Sequence, residues 1–448
     1  MLVREKKFYR DFFTMTMTIA LQNLIVYGVN LADNIMLGAY SETALSGVAI
    51  ANQVQFLLQM VVTGAASGMG VIISQYWGKR QTEPIRRVFA VGFWISIILS
   101  GVMSLVVWFK PYWVMGLLTN EQSIIPSGVE YLKIMVFSYL MFSISNSLLG
   151  VMRSVETVRI GFYISLSTLL INIFLNYALI YGHFGAPELG VKGAAYATLT
   201  SRAVEFLVSV IYCRLIDKKL RLKFKDVFAV KRNYIADFIR SGVPLMLSNI
   251  SWGIAMSVQA AILGRLGASG IAASSIAQTL FQCTSVVAYA TGDAARVMTG
   301  MAVGEGDMKK VRSGAKTMQL MFLIIGVLTS FVLFLVREPI ISVYNASAET
   351  AELANVFVLI LCVTAIGTAY EMPCLTGIVS GGGDTNFVFF NDIIFMWCIV
   401  LPLSALSAFY FKFPPAVTFA LLKADQILKC FVAAVKVNRF KWVKVLTR

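Results

Sequence analysis

Charge is what this sequence has least of. Only 14% of its 448 residues are Asp, Glu, Lys or Arg, against about a quarter in a soluble domain. Hydrophobic residues make up 58%, and the mean hydropathy is +0.76. A soluble fold of this length needs a more polar exterior. The balance therefore excludes an ordinary cytosolic enzyme, a disordered chain and a secreted disulfide scaffold. Histidine is nearly absent: His183 stands alone in a short loop, which argues against a histidine dyad or a His-rich metal site. The six cysteines (Cys213, Cys283, Cys362, Cys374, Cys398 and Cys430) form no C-x-x-C pair and lie in or beside apolar runs. They read as small buried hydrophobes. The run Gly381-Gly382-Gly383 lacks the Lys and Ser/Thr of a phosphate loop and reads as a tight turn. No nucleotide-binding domain or cofactor is expected, and the shortage of His, clustered carboxylates and metal motifs counts against an enzyme.

What is present is long apolar runs. A membrane helix needs about 20 largely apolar residues, and twelve candidates occur, near 13–37, 46–74, 87–108, 131–152, 160–181, 191–213, 238–263, 271–298, 317–336, 353–379, 387–410 and 415–436. The first is too long for a signal peptide, and no small-residue cleavage site stands out, so it reads as a span. The expected fold is an all-α polytopic membrane protein with twelve transmembrane helices.

The net charge of +15 comes from 38 Lys and Arg against 23 Asp and Glu. Most of the cations fall on one side of the twelve-span arrangement. Arg4, Lys6, Lys7 and Arg10 precede the first span; Lys79, Arg80, Arg86 and Arg87 follow the second; Arg214 through Arg232 follow the sixth; Lys309, Lys310, Arg312 and Lys316 follow the eighth; and Lys436, Arg439, Lys441, Lys444 and Arg448 lie at or beyond the end of the twelfth. The opposite loops hold little beyond Lys110, Lys192, Arg265, Arg337 and Lys412. Cytoplasmic loops collect Lys and Arg, so both termini are expected in the cytoplasm. The basic balance then implies topology rather than nucleic acid.

The polar stretch 214–237 looks like a linker between an N-lobe, 1–213, and a C-lobe, 238–448. A shift of 226 residues brings the halves into register: Leu21-Gln22-Asn23 meets Leu247-Ser248-Asn249, Gly38 meets Gly264, and Gly78 meets Gly304. One residue of slippage aligns Gly150 with Gly377. Two pseudo-symmetric six-helix halves are a common build of secondary transporters, with the substrate between them.

Ionisable residues inside spans are costly and functional by default. Asp33, in the outer half of the first span, is the sharpest candidate, because an ionised carboxylate there must be paired, hydrated or protonated. The bland alternative is a carboxylate satisfied by helix caps at the outer interface. Its counterpart in the second half is Gln259. Asn172 and Asn176 share a helix face at i, i+4. Arg202 and Glu205, at i, i+3, read first as an internal ion pair, with a proton-path or substrate role for Glu205 as the alternative. Glu371 lies in the Tyr370-Glu371-Met372-Pro373 bend. Its two readings are a coupling or substrate role and a carboxylate paired within its lobe.

The stretch Asn172-Ile173-Phe174-Leu175-Asn176-Tyr177-Ala178-Leu179-Ile180-Tyr181-Gly182, followed by Gly190-Val191-Lys192-Gly193-Ala194-Ala195-Tyr196-Ala197-Thr198, resembles the multidrug and toxic compound extrusion (MATE) transporters. So do Asn30-Leu31-Ala32-Asp33 and Gly377 through Thr385. The resemblance extends over nearly the whole chain. It implies two six-helix lobes, efflux of organic cations or other small amphiphiles, and energy from inward H⁺ or Na⁺. It also implies a monomer in the cytoplasmic membrane of a prokaryote. Asn172, Asn176 and Thr198 would complete a polar cluster around Asp33, with oxygen ligands suited to Na⁺. The alternative is interhelical hydrogen bonding that only holds the lobe together. A cavity would draw on Gln53, Trp252, Met256, Gln278, Phe281, Gln282 and Tyr289, where aromatic faces attract cations and Met adapts its shape. The bland reading of each is helix packing or lipid contact.

The chain departs from the family pattern in places. Asn176 stands where some relatives have Asp, Thr18 where they have Pro, Trp252 where sodium-coupled ones have Glu, and Ala369 near the position of an Asp. A lipid-linked precursor flippase of the same wider superfamily is the alternative function. The few internal Lys and Arg favour small amphiphiles over that reading.

Overall fold

The computed structural model describes residues 2–344 and 347–448, and among these no strand occurs. The chain runs through α1 (Lys6–Tyr40), α2 (Glu42–Gly78), α3 (Thr82–Phe109), α4 (Pro111–Leu118), α5 (Ile125–Ser154), α6 (Arg159–Tyr181) and α7 (Val191–Ile211). It continues through α8 (Arg232–Leu263), α9 (Gly267–Glu305), α10 (Met308–Val343) and α11 (Ala348–Met372), then α12 (Thr385–Ile393), α13 (Leu401–Ala405), α14 (Pro415–Leu422) and α15 (Asp425–Arg439). Wider π-helical turns extend α11 over Pro373–Val379 and join α12 to α13 over Ile394–Val400.

Among the described residues, ten helices are long and apolar enough to cross a membrane by length and composition. The protein is an all-α, multi-pass membrane protein. The sixth and twelfth expected spans answer to α7 and to the α14–α15 pair, which are not among the ten. Their composition explains why. α7 carries Lys192, Arg202 and Glu205 within 21 residues. The last span breaks around Lys423-Ala424 and carries Lys423, Asp425 and Lys429. The short α4 lies in a connection that the hydropathy pattern leaves as a loop; Pro111 starts it and Met115 anchors it.

Large apolar side chains line the outside of these helices. On α3, Ile98, Val102, Leu105 and Phe109 are exposed in a stripe at helical spacing. Such a stripe is a liability in water and a requirement in lipid.

Two compact units divide the chain. One comprises Leu21–Ile73 and Gln81–Met246; the other comprises Met1–Ala20, Ser74–Arg80 and Leu247–Arg448. Each has its own core. In the first, Leu37, Val48, Leu58, Val62, Tyr131, Met135 and Tyr139 are buried together. Close helix contact there depends on small residues. A Cβ on Gly193 of α7 would stand 2.3 Å from the Leu179 carbonyl oxygen of α6, so only glycine lets these two helices meet at that point. In the second unit, Phe357 and Phe419 stack at 4.1 Å among Ala255, Leu280, Phe281, Leu361 and Leu422.

The end of the chain is held in the second unit rather than frayed. Trp442 is fully buried, and its indole donates to the Val437 carbonyl at 2.8 Å. The Lys444 amide donates to the Gly382 carbonyl at 2.7 Å. Gln75 donates to the Lys444 carbonyl at 3.1 Å and accepts from the Leu446 amide at 2.8 Å.

Candidate functional site: a buried carboxylate on the first helix

Asp33 is buried in the α1 portion of the first unit. α6 presents Asn172 and Asn176 one turn apart, both fully buried, and α7 presents Thr198. The three side chains form one hydrogen-bonded chain. Asn172 Nδ2 donates to Thr198 Oγ1 at 3.4 Å, and Asn176 Nδ2 donates to Asn172 Oδ1 at 3.1 Å. The same Asn176 nitrogen donates to Asp33 Oδ1. Both amide hydrogens of Asn176 are thus committed, one to the carboxylate and one to its neighbour on the helix.

The other end of that amide is unusual. Asn176 Oδ1 is buried and, among the described residues, has no hydrogen-bond partner. A buried acceptor without a donor loses its hydration with no compensation. Beside a buried carboxylate, the missing partner has to be a donor or a cation.

Around this chain stand Tyr131 of α5, whose hydroxyl is within hydrogen-bonding reach of Thr198, and Arg202 of α7, close enough to act electrostatically on Asp33. Arg202 Nη1 pairs with Glu205 Oε2 at 2.7 Å, and its guanidinium lies over the Phe142 ring at 4.9 Å. The structure therefore brings Asp33, Asn172, Asn176, Thr198, Arg202 and Glu205 into a single unit, on α1, α6 and α7.

The remaining candidates are dispersed. Gln53 is exposed on α2 in the first unit. Trp252, Met256, Gln278, Phe281, Gln282 and Tyr289 belong to the second unit, on α8 and α9. Trp252 and Gln282 are exposed, Met256, Gln278 and Tyr289 half-buried, and Phe281 sits inside the second core.

Glu371 is buried at the end of α11, next to the π-helical turn that begins at Pro373. It faces a charged cluster that reading the sequence alone missed. Lys429 of α15 is buried and bridges Asp392 of α12 at 3.0 Å and Asp425, one turn earlier, at 3.4 Å. Asp392 also accepts a hydrogen bond from Ser248 Oγ of α8. Glu371 lies within electrostatic reach of Lys429, Asp425 and Asp392. The i, i+4 spacing of Asp425 and Lys429 inside an apolar run was a usable signal; the approach of Asp392 from another helix was not. Among the described residues no group of three His, Cys, Asp or Glu side chains is arranged to hold a metal ion.

Comparison with known proteins adds a family to this geometry. The family model described as MatE matches residues 18–178 and 244–406. A relative described as a probable multidrug resistance protein NorM, from Thermotoga maritima, is 26% identical over 431 residues, covering 95% of this chain and 92% of its own. The uncharacterized transporter YisQ of Bacillus subtilis is 21% identical, covering 92% and 90%. Among solved structures, a MOP superfamily transporter from Pyrococcus furiosus superposes with a TM-score of 0.87 at 17% identity, over the full length of both chains.

Proposed function

The chain belongs to the MatE family, and from that premise we propose that it is a secondary active multidrug exporter, moving organic cations or other small amphiphiles out of a prokaryotic cell against inward H⁺ or Na⁺. The Thermotoga maritima relative, described as a multidrug resistance protein, supports the substrate class. The functional lobes are 1–213 and 238–448, joined through 214–237, and the protein works as a monomer in the cytoplasmic membrane with both termini inside.

The observation that carries the coupling role is the pairing of a buried carboxylate with a buried, donorless amide oxygen, Asp33 with Asn176 Oδ1. A proton on Asp33 supplies a donor, and Na⁺ supplies a cation to the same oxygens. Either coupling ion makes good the deficit that the site carries without it. Asp33 is the residue that takes the charge. Asn176 and Asn172 orient it, and Thr198 ends the chain as the last acceptor.

A coupling ion shifts a transport equilibrium only by its different affinity for the two states. Ion binding at Asp33 from outside favours the outward-open state, which releases substrate; substrate binding from inside favours the return. Glu371, and less directly Glu205 and Arg202, are second candidates for coupling or substrate contact.

Efflux of a fluorescent organic cation from proteoliposomes, with pH and Na⁺ gradients imposed separately, tests the reading. Efflux should follow one of the two gradients. Equal efflux with neither imposed overturns the antiporter.

A further inference from the structure

The segment between α7 and α8 is the most basic stretch of the chain, and its composition alone suggests a solvated tether. In the structure it is a built ledge. The Asp217 carboxylate accepts backbone N–H bonds from Lys219, Leu220 and Arg221 at 3.3, 2.8 and 3.1 Å. Leu220 and Leu222 are buried beneath it. Arg86 of α3 donates to the Leu220 carbonyl at 2.6 Å, and Lys219 reaches the Val155 carbonyl at 2.6 Å. Asp226 accepts from the Lys223 amide at 2.8 Å and lies 3.7 Å from Arg86. Both acids of the segment are therefore turned inward.

What faces outward is apolar and cationic. Phe224 and Phe228 are 70% and 62% exposed, with their rings 5.9 Å apart, and Leu215 is 74% exposed. Arg221, Lys223, Lys225 and Lys231 are exposed between and beside them. Without lipid this would be an unprotected hydrophobic edge.

The depth of this edge is fixed by Trp94. Its indole donates to the Val227 carbonyl at 2.9 Å, and its ring lies 5.8 Å from that of Phe228. Trp94 heads the lipid-facing stripe Ile98, Val102, Leu105 and Phe109 of α3, at spacings of one helical turn. A Trp where an apolar stripe begins marks the boundary between headgroups and hydrocarbon. Phe224 and Phe228 sit at that same level, with the lysines beside them.

We infer that residues 214–232 form a membrane-surface binding site for anionic phospholipid. Phe224 and Phe228 enter the acyl boundary of the adjoining leaflet, and Arg221, Lys223, Lys225 and Lys231 hold phosphodiester headgroups. The inference needs only that the protein spans a membrane; it does not depend on the transported substrate or on the coupling ion. Aromatic rings inserted beside cations are the general chemistry of interfacial anchoring.

The test is hydrogen–deuterium exchange of residues 221–230 in the full chain, reconstituted in nanodiscs of phosphatidylcholine alone or mixed with phosphatidylglycerol. Each cation near the surface favours an anionic leaflet by about fivefold. Exchange should slow in the anionic discs, and the difference should shrink at high salt. Lys223→Glu with Lys225→Glu should abolish the difference, while Lys309→Glu with Lys310→Glu, on another loop, should leave it intact. Phe224→Ser with Phe228→Ser should speed exchange in both discs. Equal wild-type exchange in the two discs, slowing that survives the Lys223/Lys225 reversal, or no effect of the Phe pair overturns the inference.

Discussion

Asp33 and Lys429 are two buried charges handled in different ways. Asp33 takes a hydrogen bond from the Asn176 amide, and among the described residues no cationic side chain is paired with it. Asp33→Asn keeps the shape of the site and removes its ability to take up charge. The expected outcome is loss of gradient-driven efflux in cells with a thermal unfolding midpoint close to that of the wild type. Wild-type export from this variant would remove Asp33 from the coupling role. Lys429 is different, because it compensates Asp392 and Asp425 directly with Glu371 nearby. Removing one partner of a buried ion pair costs about 3–5 kcal/mol, since the other charge remains unpaired. Lys429→Met should therefore lower the unfolding midpoint of the purified protein clearly, and Lys429→Arg should recover most of the loss.

At the scale of elements, the placement of the Asp33 network depends on how α6 and α7 pack. They meet where Gly193 faces the Leu179 carbonyl. Gly193→Ala forces these helices apart near the chain linking Asn176, Asn172 and Thr198. Overpacking of this kind costs about 1–3 kcal/mol, so both the melting midpoint and efflux should fall together. A second junction joins the turn before α12 to the end of the chain, where Asp384 pairs with Lys436 and Lys444, each at 2.7 Å. Burial alone would raise the Asp384 carboxyl, but the two ammonium groups outweigh it and hold it below the ordinary aspartate value of about 3.8. A depressed carboxyl stabilises the fold fully above its unfolded value and loses that contribution as pH falls through the folded one. This junction should accordingly be intact from neutral pH down to about pH 4 and weaken only in stronger acid. Thermal melts of wild type and Asp384→Asn should differ at neutral pH and converge in strong acid.

For the whole molecule, the one-sided loop cations make a prediction independent of transport. Loops rich in Lys and Arg stay in the cytoplasm. Tags at either end of the chain should be cut by protease in inside-out vesicles and protected in right-side-out spheroplasts. Opposite accessibility of the two ends would break the expected even number of crossings.

The membrane class and the length and apolarity of ten helices among the described residues were legible in the sequence alone, and so was the uneven spread of loop cations. Each is a local, one-dimensional property: a window of residues either can or cannot face hydrocarbon, and a loop carries its charge whatever it packs against. Asp33, Arg202, Glu205 and Glu371 were visible for the same reason, as ionisable groups in apolar runs. Family resemblance added Asn172, Asn176 and Thr198 to Asp33, and in the structure one hydrogen-bonded chain runs from Asp33 through Asn176 and Asn172 to Thr198. Only the tertiary structure decided which charges meet. Asp392 reaches Lys429 from a different helix, and Asn176 is left with one oxygen unserved because of how α1 and α6 approach. The basic segment after α7 reads as a polar tether in one dimension, yet it becomes a ledge because Asp217, Arg86 and Trp94 bind its backbone. Hydropathy reports what a segment tolerates, while hydrogen bonds between distant residues determine where it rests.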